Sequence, residues 1–554
     1  MNRINVPLGK SDFESVREKK LLYVDKTLFI EELLLKHADA DVSLINRPRR
    51  FGKTLMLSTL SYFFDISKDS RELFDGLKIS QRKEICEKWM NRFPTVFVSF
   101  KDVDGLSFDR AYGWLVNIFK VLFHNFDFLL ESRKVRKEDK SDFRKINTGK
   151  AEVNTLMAGL SPLARMLRDH YGKKVVLLID EYDVPMAKAA EKGYYREMLA
   201  VMKGILGVLK DNSCLEFSVI TGCLRIAKES IFTGLNNVYS NTVTKNAYDE
   251  YFGFLEEEVE DIYRTIGIED RLSLTKEWYD GYHFGDSDIF CPWDVICYIN
   301  DLYSKETTKP QAYWNNTGDS SIIRTFIVKF RDSVLKSLNA LLSEGYIIRK
   351  VNEDVTYDYL HSSEDNIWSI LLMTGYLTTA KEEDVPVPVP DGMTALMIPN
   401  REIRDIFTSS LENWVQSSLE GYDLSVLDNA LWNGESDAIA REISSILIAT
   451  ISCFDYKEDF YHAFLAGIFT GLGYAVDSNK ETGEGRADVV VHDYIEKRIA
   501  IFEVKCPDVK KKTTKDAIKQ IERKKYEASF PGFMIISYGI TMSKKGCTVE
   551  KKRR

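Results

Sequence analysis

The sequence predicts an α/β protein with a parallel-sheet domain at the N-terminus, a mainly helical middle and a smaller α/β domain at the C-terminus. Three observations carry this. Short apolar, β-rich runs alternate with helical patterns over residues 1–250, as expected for strands joined by crossover helices. Residues 251–445 show helical spacing with aromatic clusters. Residues 446–554 change again, to helix, several strands, helix and strand.

In order, the strand signals of the first domain are Asp41–Asn46, Thr95–Phe100, Val175–Ile179 and Phe217–Thr221. Each is short, largely apolar and β-rich, which suits a strand covered on both faces. Helical spacing between them includes Leu55–Phe64 and Leu163–His170. The middle carries Trp278-Tyr279-Asp280-Gly281-Tyr282, and Val385-Pro386-Val387-Pro388-Val389-Pro390 is the strongest turn or linker signal in the chain. No internal repeat stands out.

Composition narrows the function classes. With 31 Gly and 13 Pro in 554 residues, collagen-like and low-complexity readings fail. No apolar run approaches the roughly 20 residues that cross a bilayer, and the first residues lack a signal-peptide core. The eight cysteines form no C-x-x-C pair, and Cys291 and Cys297 have no histidine at zinc-ligand spacing. These features predict a cytoplasmic protein without a membrane partner. Net charge is −8, yet residues 505–525 hold nine basic side chains against three acidic ones, and the chain closes on Lys551-Lys552-Arg553-Arg554. A basic face on an acidic protein points to a nucleic-acid contact confined to one end.

Arg47-Pro48-Arg49-Arg50-Phe51-Gly52-Lys53-Thr54 follows the first strand and opens a helix. That is the setting of a phosphate loop, in which backbone N–H groups and a helix N-terminus cradle phosphates. Arg50, Phe51, Gly52, Lys53 and Thr54 are the expected ATP contacts. Lys53 would reach the β/γ oxygens and Thr54 would face Mg²⁺. Arg47 stands where the pattern has its first glycine. The third strand runs into Asp180-Glu181-Tyr182-Asp183. Asp180 is expected toward Mg²⁺ and Glu181 beside an attacking water, while Asp183 reads as structural. Thr221 ends the next strand, where additional-strand ATPases place a γ-phosphate sensor. Arg225 reads equally as an arginine finger or as a helix-surface residue.

At the C-terminus, Asp488 precedes Glu503-Val504-Lys505 on an alternating strand, so Glu503 and Lys505 share a face. Two carboxylates can hold Mg²⁺ or Mn²⁺ against a phosphate, and the lysine can orient a water and offset charge. Hard oxygen ligands suit those ions better than Zn²⁺. A helix over Lys457–Thr470 would place Glu458 and His462 on one face. A basic helix carrying Gln520, Lys524 and Tyr526 could touch a phosphate or base.

Together these motifs resemble a bacterial family that fuses an AAA-ATPase-like domain to a PD-(D/E)xK nuclease. The resemblance also rests on Leu8–Phe13, Tyr23-Val24-Asp25-Lys26-Thr27, Leu235-Asn236-Asn237, Ser478-Asn479 and Gly485–Asp488. It implies an additional-strand P-loop ATPase over residues 1–250, a helical lid or connector over 251–445 and a restriction-endonuclease-like domain over 446–554. It also makes Arg47 the family's own form of the loop. The catalytic set becomes Glu181, Asp488, Glu503 and Lys505, and the metal set Thr54, Asp180, Asp488 and Glu503. The expected activity is an ATP-controlled, Mg²⁺-dependent nuclease acting on nucleic acid, DNA first. Defence against foreign DNA is suggested by analogy alone. The alternative is an ATP-operated switch whose C-terminal domain binds nucleic acid or a partner without cutting. Arg225 acting in trans would require a homo-oligomer through the ATPase domain.

Overall fold

The computed structural model describes residues 3–37, 41–210, 212–225, 238–314, 331–343, 345–355, 364–450, 456–482, 485–506, 512–543 and 545–553. Leu235-Asn236-Asn237 and Lys510-Lys511 lie outside the described residues. The chain forms two compact units, Met1–Tyr313 with Ile348–Asn400 and Trp314–Ile347 with Arg401–Arg554.

The first unit is built on five strands, β1 (Val42–Asn46), β2 (Thr95–Ser99), β3 (Val175–Asp180), β4 (Leu215–Gly222) and β5 (Val238–Asn241), in the order β2-β3-β4-β1-β5. All four pairings are parallel. Every residue of β1 and β3 is buried, which explains their mostly apolar character. This order brings the C-terminal ends of β1, β3 and β4 side by side, the crevice where open α/β sheets bind ligands. Helix α1 (Lys53–Phe64) leaves the loop after β1 and starts at Gly52, whose φ of +85° suits glycine.

Beyond β5, Val259, Ile262, Tyr263, Tyr279 and Tyr298 form a second core in the same unit, with Ile4, Val6, Leu22 and Val24 packed against it. Between Tyr279 and Tyr298 the chain forms a hairpin, Tyr282–Phe284 with Ser287–Ile289, and then helix α2 (Pro292–Ser304). The Val385–Pro390 segment lies between Thr378–Thr379 and Thr394–Met397, which pair antiparallel. The strongest linker signal is therefore a surface loop inside this unit, whose last segment ends at Asn400.

In the second unit α3 (Arg401–Ser418) crosses α4 (Glu458–Gly471) closely. A side chain at Gly467 would meet the Glu412 carbonyl and Val415 at 2.8 Å. A five-stranded mixed sheet follows: β6 (Ala475–Thr482), β7 (Gly485–Asp493), β8 (Arg498–Lys505), β9 (Met534–Ser543) and β10 (Gly546–Lys551), paired in that order. Only β8 and β9 are parallel, so a crossover must join them. That crossover contains α5 (Thr514–Lys524), whose Ile521 packs with Ala487, Val490, Ile499, Ile501 and Tyr526.

Candidate active sites in the two units

In the first unit, the ends of β1, β3 and β4 draw together Lys53, Thr54, Asp180, Glu181 and Thr221. The Lys53 ammonium is almost fully buried and donates to the carbonyls of Arg47 (3.0 Å) and Pro48 (2.9 Å). It also sits 3.3 Å from Glu181 Oε1 and 3.8 Å from Cys223 Sγ. Burial works against its charge, but Cys223, Glu181, Asp183 and Asp180 outweigh it and hold the ammonium above the usual lysine range.

Asp180 is the hub. Its Oδ2 accepts from Thr54 Oγ1 (2.9 Å) and Ser99 Oγ (3.1 Å), and its Oδ1 from Thr221 Oγ1 (2.7 Å). Burial and then Glu181 raise this carboxyl above its ordinary range, against the pull of those hydroxyls. Sequence reading missed Ser99. Its role follows from the register of β2 and β3, which sets Ser99 opposite Asp180. Glu181 follows with a φ of +51°, a conformation rare outside glycine, and its Oε2 is buried without a hydrogen bond among the described residues. Asp183 accepts from the backbone N–H groups of Cys223 (3.0 Å) and Leu224 (2.9 Å) and fixes the turn after β4. Burial and Glu181 push its carboxyl up to about 6.

Other expected contacts point elsewhere. The Phe51 ring is fully buried against Tyr282 (4.9 Å) and Phe284 (5.1 Å), leaving only its backbone to the loop. The Arg50 guanidinium stacks 4.2 Å over Trp293. Arg225 pairs with Asp354 at 3.3 Å.

In the second unit Asp488 on β7, Glu503 and Lys505 on β8 and His462 on α4 converge, each no more than 9 % exposed. Lys505 Nζ donates to Glu503 Oε1 (2.7 Å) and stands 3.9 Å from Asp488 Oδ2. Asp488 Oδ2 accepts from the Val504 N–H at 2.7 Å, with His462 Nε2 3.4 Å away. Burial alone would raise Asp488, but His462 and Lys505 hold it below the usual range. The imidazole is raised in turn, since Asp488 outweighs its burial. Burial and Asp488 push Glu503 up to about 7, and its Oε2 has no hydrogen bond among the described residues.

Glu458 reaches the Cys506 N–H (3.5 Å) and Lys512 (3.7 Å) at the rim. Tyr526 is not on the basic helix. α5 stops at Lys524, Lys525 turns at φ +50°, and Tyr526 opens a short 3₁₀ turn with its ring buried. The Gln520 amide donates to its hydroxyl (3.4 Å). Burial pushes that phenol up to about 12, and Glu503 and Asp488 add to the shift. Lys524 remains half-buried at the helix end.

Comparison with known proteins finds a match within each unit. Residues 7–232 match a family model described as "Predicted AAA-ATPase", and residues 456–552 match the PD-(D/E)XK nuclease superfamily. The two matches together support an AAA-ATPase-like/PD-(D/E)xK fusion. The chain is 26 % identical over 341 residues to the "Uncharacterized protein in vnfD 5'region" of Azotobacter chroococcum mcd 1. That alignment covers 60 % of this chain and 57 % of the relative.

Among solved structures, the Walker-type ATPase PABY2304 of Pyrococcus abyssi aligns over 74 % of this chain and 99 % of its own, at 11 % identity and a TM-score of 0.37. The ORC2 protein of Aeropyrum pernix aligns over 74 % and 96 %, at 10 % identity and 0.25. Likenesses this low carry no further argument. Among the described residues no helix is long and apolar enough to cross a membrane.

Proposed function

We propose that the N-terminal unit binds and hydrolyses ATP and that this controls a Mg²⁺-dependent nuclease in the C-terminal unit, acting on nucleic acid, DNA first. The observation that carries the nuclease half is the meeting of Asp488, Glu503 and Lys505, with the Glu503 carboxylate buried beside Asp488. Two buried carboxylates beside a single ammonium repel one another, and a divalent cation would relieve that repulsion. The donor set is all oxygen, so Asp488 and Glu503 would hold Mg²⁺ or Mn²⁺ rather than Zn²⁺.

The chemistry such a cation supplies is polarisation of the scissile phosphate and neutralisation of its charge. The protein's own residues do the rest. Lys505 orients a water and offsets negative charge, the Val504 N–H and His462 hold Asp488 in place, and Glu458 shapes the rim.

In the N-terminal unit, Thr54 and Asp180 offer the oxygens for a nucleotide-bound Mg²⁺. Lys53 supplies positive charge toward the phosphates, and Glu181 can polarise an attacking water. Thr221 and Ser99 orient Asp180. The seven described cysteines are free thiols, which suits a reducing cytoplasm.

The test is cleavage of linear, circular and single-stranded DNA and of RNA, with Mg²⁺ or Mn²⁺, with and without ATP. Cleavage should vanish in Glu503→Ala, and its response to ATP should vanish in Lys53→Ala. Cutting that survives Glu503→Ala in a clean preparation would sink the nuclease reading.

A further inference from the structure

The loop that opens the nucleotide site carries an arginine where a phosphate loop has its first glycine, and the structure gives that arginine a job. Arg47 is fully buried. Its Nη1 donates to the carbonyls of Asn46 (3.0 Å) and Asn241 (3.1 Å), and its Nη2 to those of Ala247 (3.2 Å) and Tyr248 (3.3 Å). The guanidinium also lies 5.6 Å from the rings of both Phe252 and Phe284. On the opposite side, the Arg47 N–H donates to Gly222 O at the end of β4 (3.1 Å). One residue thus clamps the end of β1 between β4 and the segment that follows β5.

Burying a guanidinium is costly, and burial lowers this one to about 10, with only Asp249 pulling the other way. Four carbonyl acceptors and two ring faces offset that cost. The clamp matters for the nucleotide because Lys53 Nζ is held by the carbonyls of Arg47 itself and of Pro48. Moving Arg47 moves the lysine's seat. The left-handed residues of the loop are Arg50 (φ +76°) and Gly52 (φ +85°), so the turn does not depend on glycine at 47. Arg50 and Phe51 reinforce the same docking, on Trp293 and on Tyr282 with Phe284.

The geometry points to Arg47 as the positioning residue of the phosphate loop. It sets the carbonyls that seat Lys53 by anchoring the loop to residues 241–293. The inference rests on the nucleotide-binding reading above. It has an unusual corollary: restoring the glycine of the common motif destroys the site instead of improving it. Lysine cannot replace the arginine either, because it lacks the planar fork that reaches four carbonyls.

The experiment measures binding of a fluorescent ATP analogue with Mg²⁺, and the melting temperature without nucleotide, for the full chain and for Arg47→Gly, Arg47→Lys, Phe284→Leu and Lys53→Ala. The expected result is a loss of at least about tenfold in affinity for both Arg47 variants. In Arg47→Gly, guanidinium ion at millimolar, non-denaturing concentration should restore binding where ammonium does not. A merely structural defect would not show that selectivity. Folded Arg47→Gly that binds like the unchanged protein would overturn the inference. If both Arg47 variants fail to fold, Phe284→Leu decides, since it keeps apolar volume but removes a ring over Arg47 and Phe51. Unchanged affinity there overturns the inference, and weakened affinity at an unchanged melting temperature upholds it. Failure of the underlying reading looks different, because the unchanged protein itself would then bind no nucleotide.

Discussion

Lys505 and Glu503 are joined by a 2.7 Å hydrogen bond on one face of β8, in a site where Asp488 makes a second claim on the same ammonium. His462 and Lys505 together favour the Asp488 carboxylate, and burial beside that charge displaces Glu503, up to about 7 from its ordinary 4.5. A carboxyl raised in the folded state binds its proton more tightly than in the unfolded chain. Its contribution to stability is therefore present below about pH 4.5 and is lost as pH rises through 7. In chelator-treated protein, Glu503→Gln should melt higher than the unchanged chain at about pH 8, by roughly 1–3 kcal/mol. The gap should close near pH 5, and adding Mg²⁺ at the higher pH should stabilise only the protein that keeps Glu503.

Asp180 gathers three hydroxyl donors, and they should not be equal. Thr54 would leave to face Mg²⁺, whereas Ser99 and Thr221 stay with the carboxylate. Ser99→Ala should therefore lower ATP hydrolysis several-fold with little change in nucleotide affinity, an effect of about 1 kcal/mol for one hydrogen bond. Steady-state hydrolysis and calorimetric binding separate the two quantities. Equal loss in both would mean that Ser99 contacts the nucleotide directly.

Asp183 and Glu181 flank one tyrosine but should behave oppositely. Asp183→Ala strands the buried N–H groups of Cys223 and Leu224, which should cost about 2–4 kcal/mol in urea denaturation. Glu181→Gln should stop hydrolysis while leaving the denaturation midpoint close to that of the unchanged chain, since the amide oxygen can still face Lys53 and the lost charge relieves its repulsion with Asp180 and Asp183.

On α5, Lys515, Lys519 and Arg523 are exposed at four-residue spacing. They form a stripe opposite the face that buries Ala517 and Ile521. Changing Lys519 and Arg523 to glutamine should weaken nucleic-acid binding without sequence preference. Each lost phosphate contact should flatten the salt dependence by a slope of about one. Titrations at several salt concentrations measure this directly, and an unchanged slope would move the nucleic-acid path off this helix.

Much of the framework was legible because it is written in apolar runs. Four strands of the first sheet are wholly buried or nearly so, and such stretches stand out against polar flanks. β5 was not, being four residues with only Asn241 buried. Asp180 and Glu503 could be picked out as carboxylates ending apolar strands. Ser99 could not, because its meaning lies in the register between β2 and β3. Arg47 read as a variant form of the loop with no task of its own, since nothing local tells that three distant carbonyls, of Asn241, Ala247 and Tyr248, are waiting for it. The placement of Tyr526 escaped for a similar reason. A lysine turning left-handed at residue 525 ends the helix, and no glycine marks the spot.

The order of the first sheet also bears on how the chain is made. β1 pairs only with β4 and β5, and Val42 meets Ser218, 176 residues later in the sequence. A nascent chain emerging from the ribosome therefore carries β1, buried along its whole length in the folded unit, with no strand to join until residue 215 has appeared. In the second unit β6 pairs with β7 and β7 with β8, each antiparallel and close in sequence, so those pairings face no such delay. Slow, non-local pairing of this kind exposes a chain to aggregation. The first half of the molecule is thus the part more exposed to aggregation during synthesis, and fragments ending before β4 lack both the strand that β1 joins and Thr221.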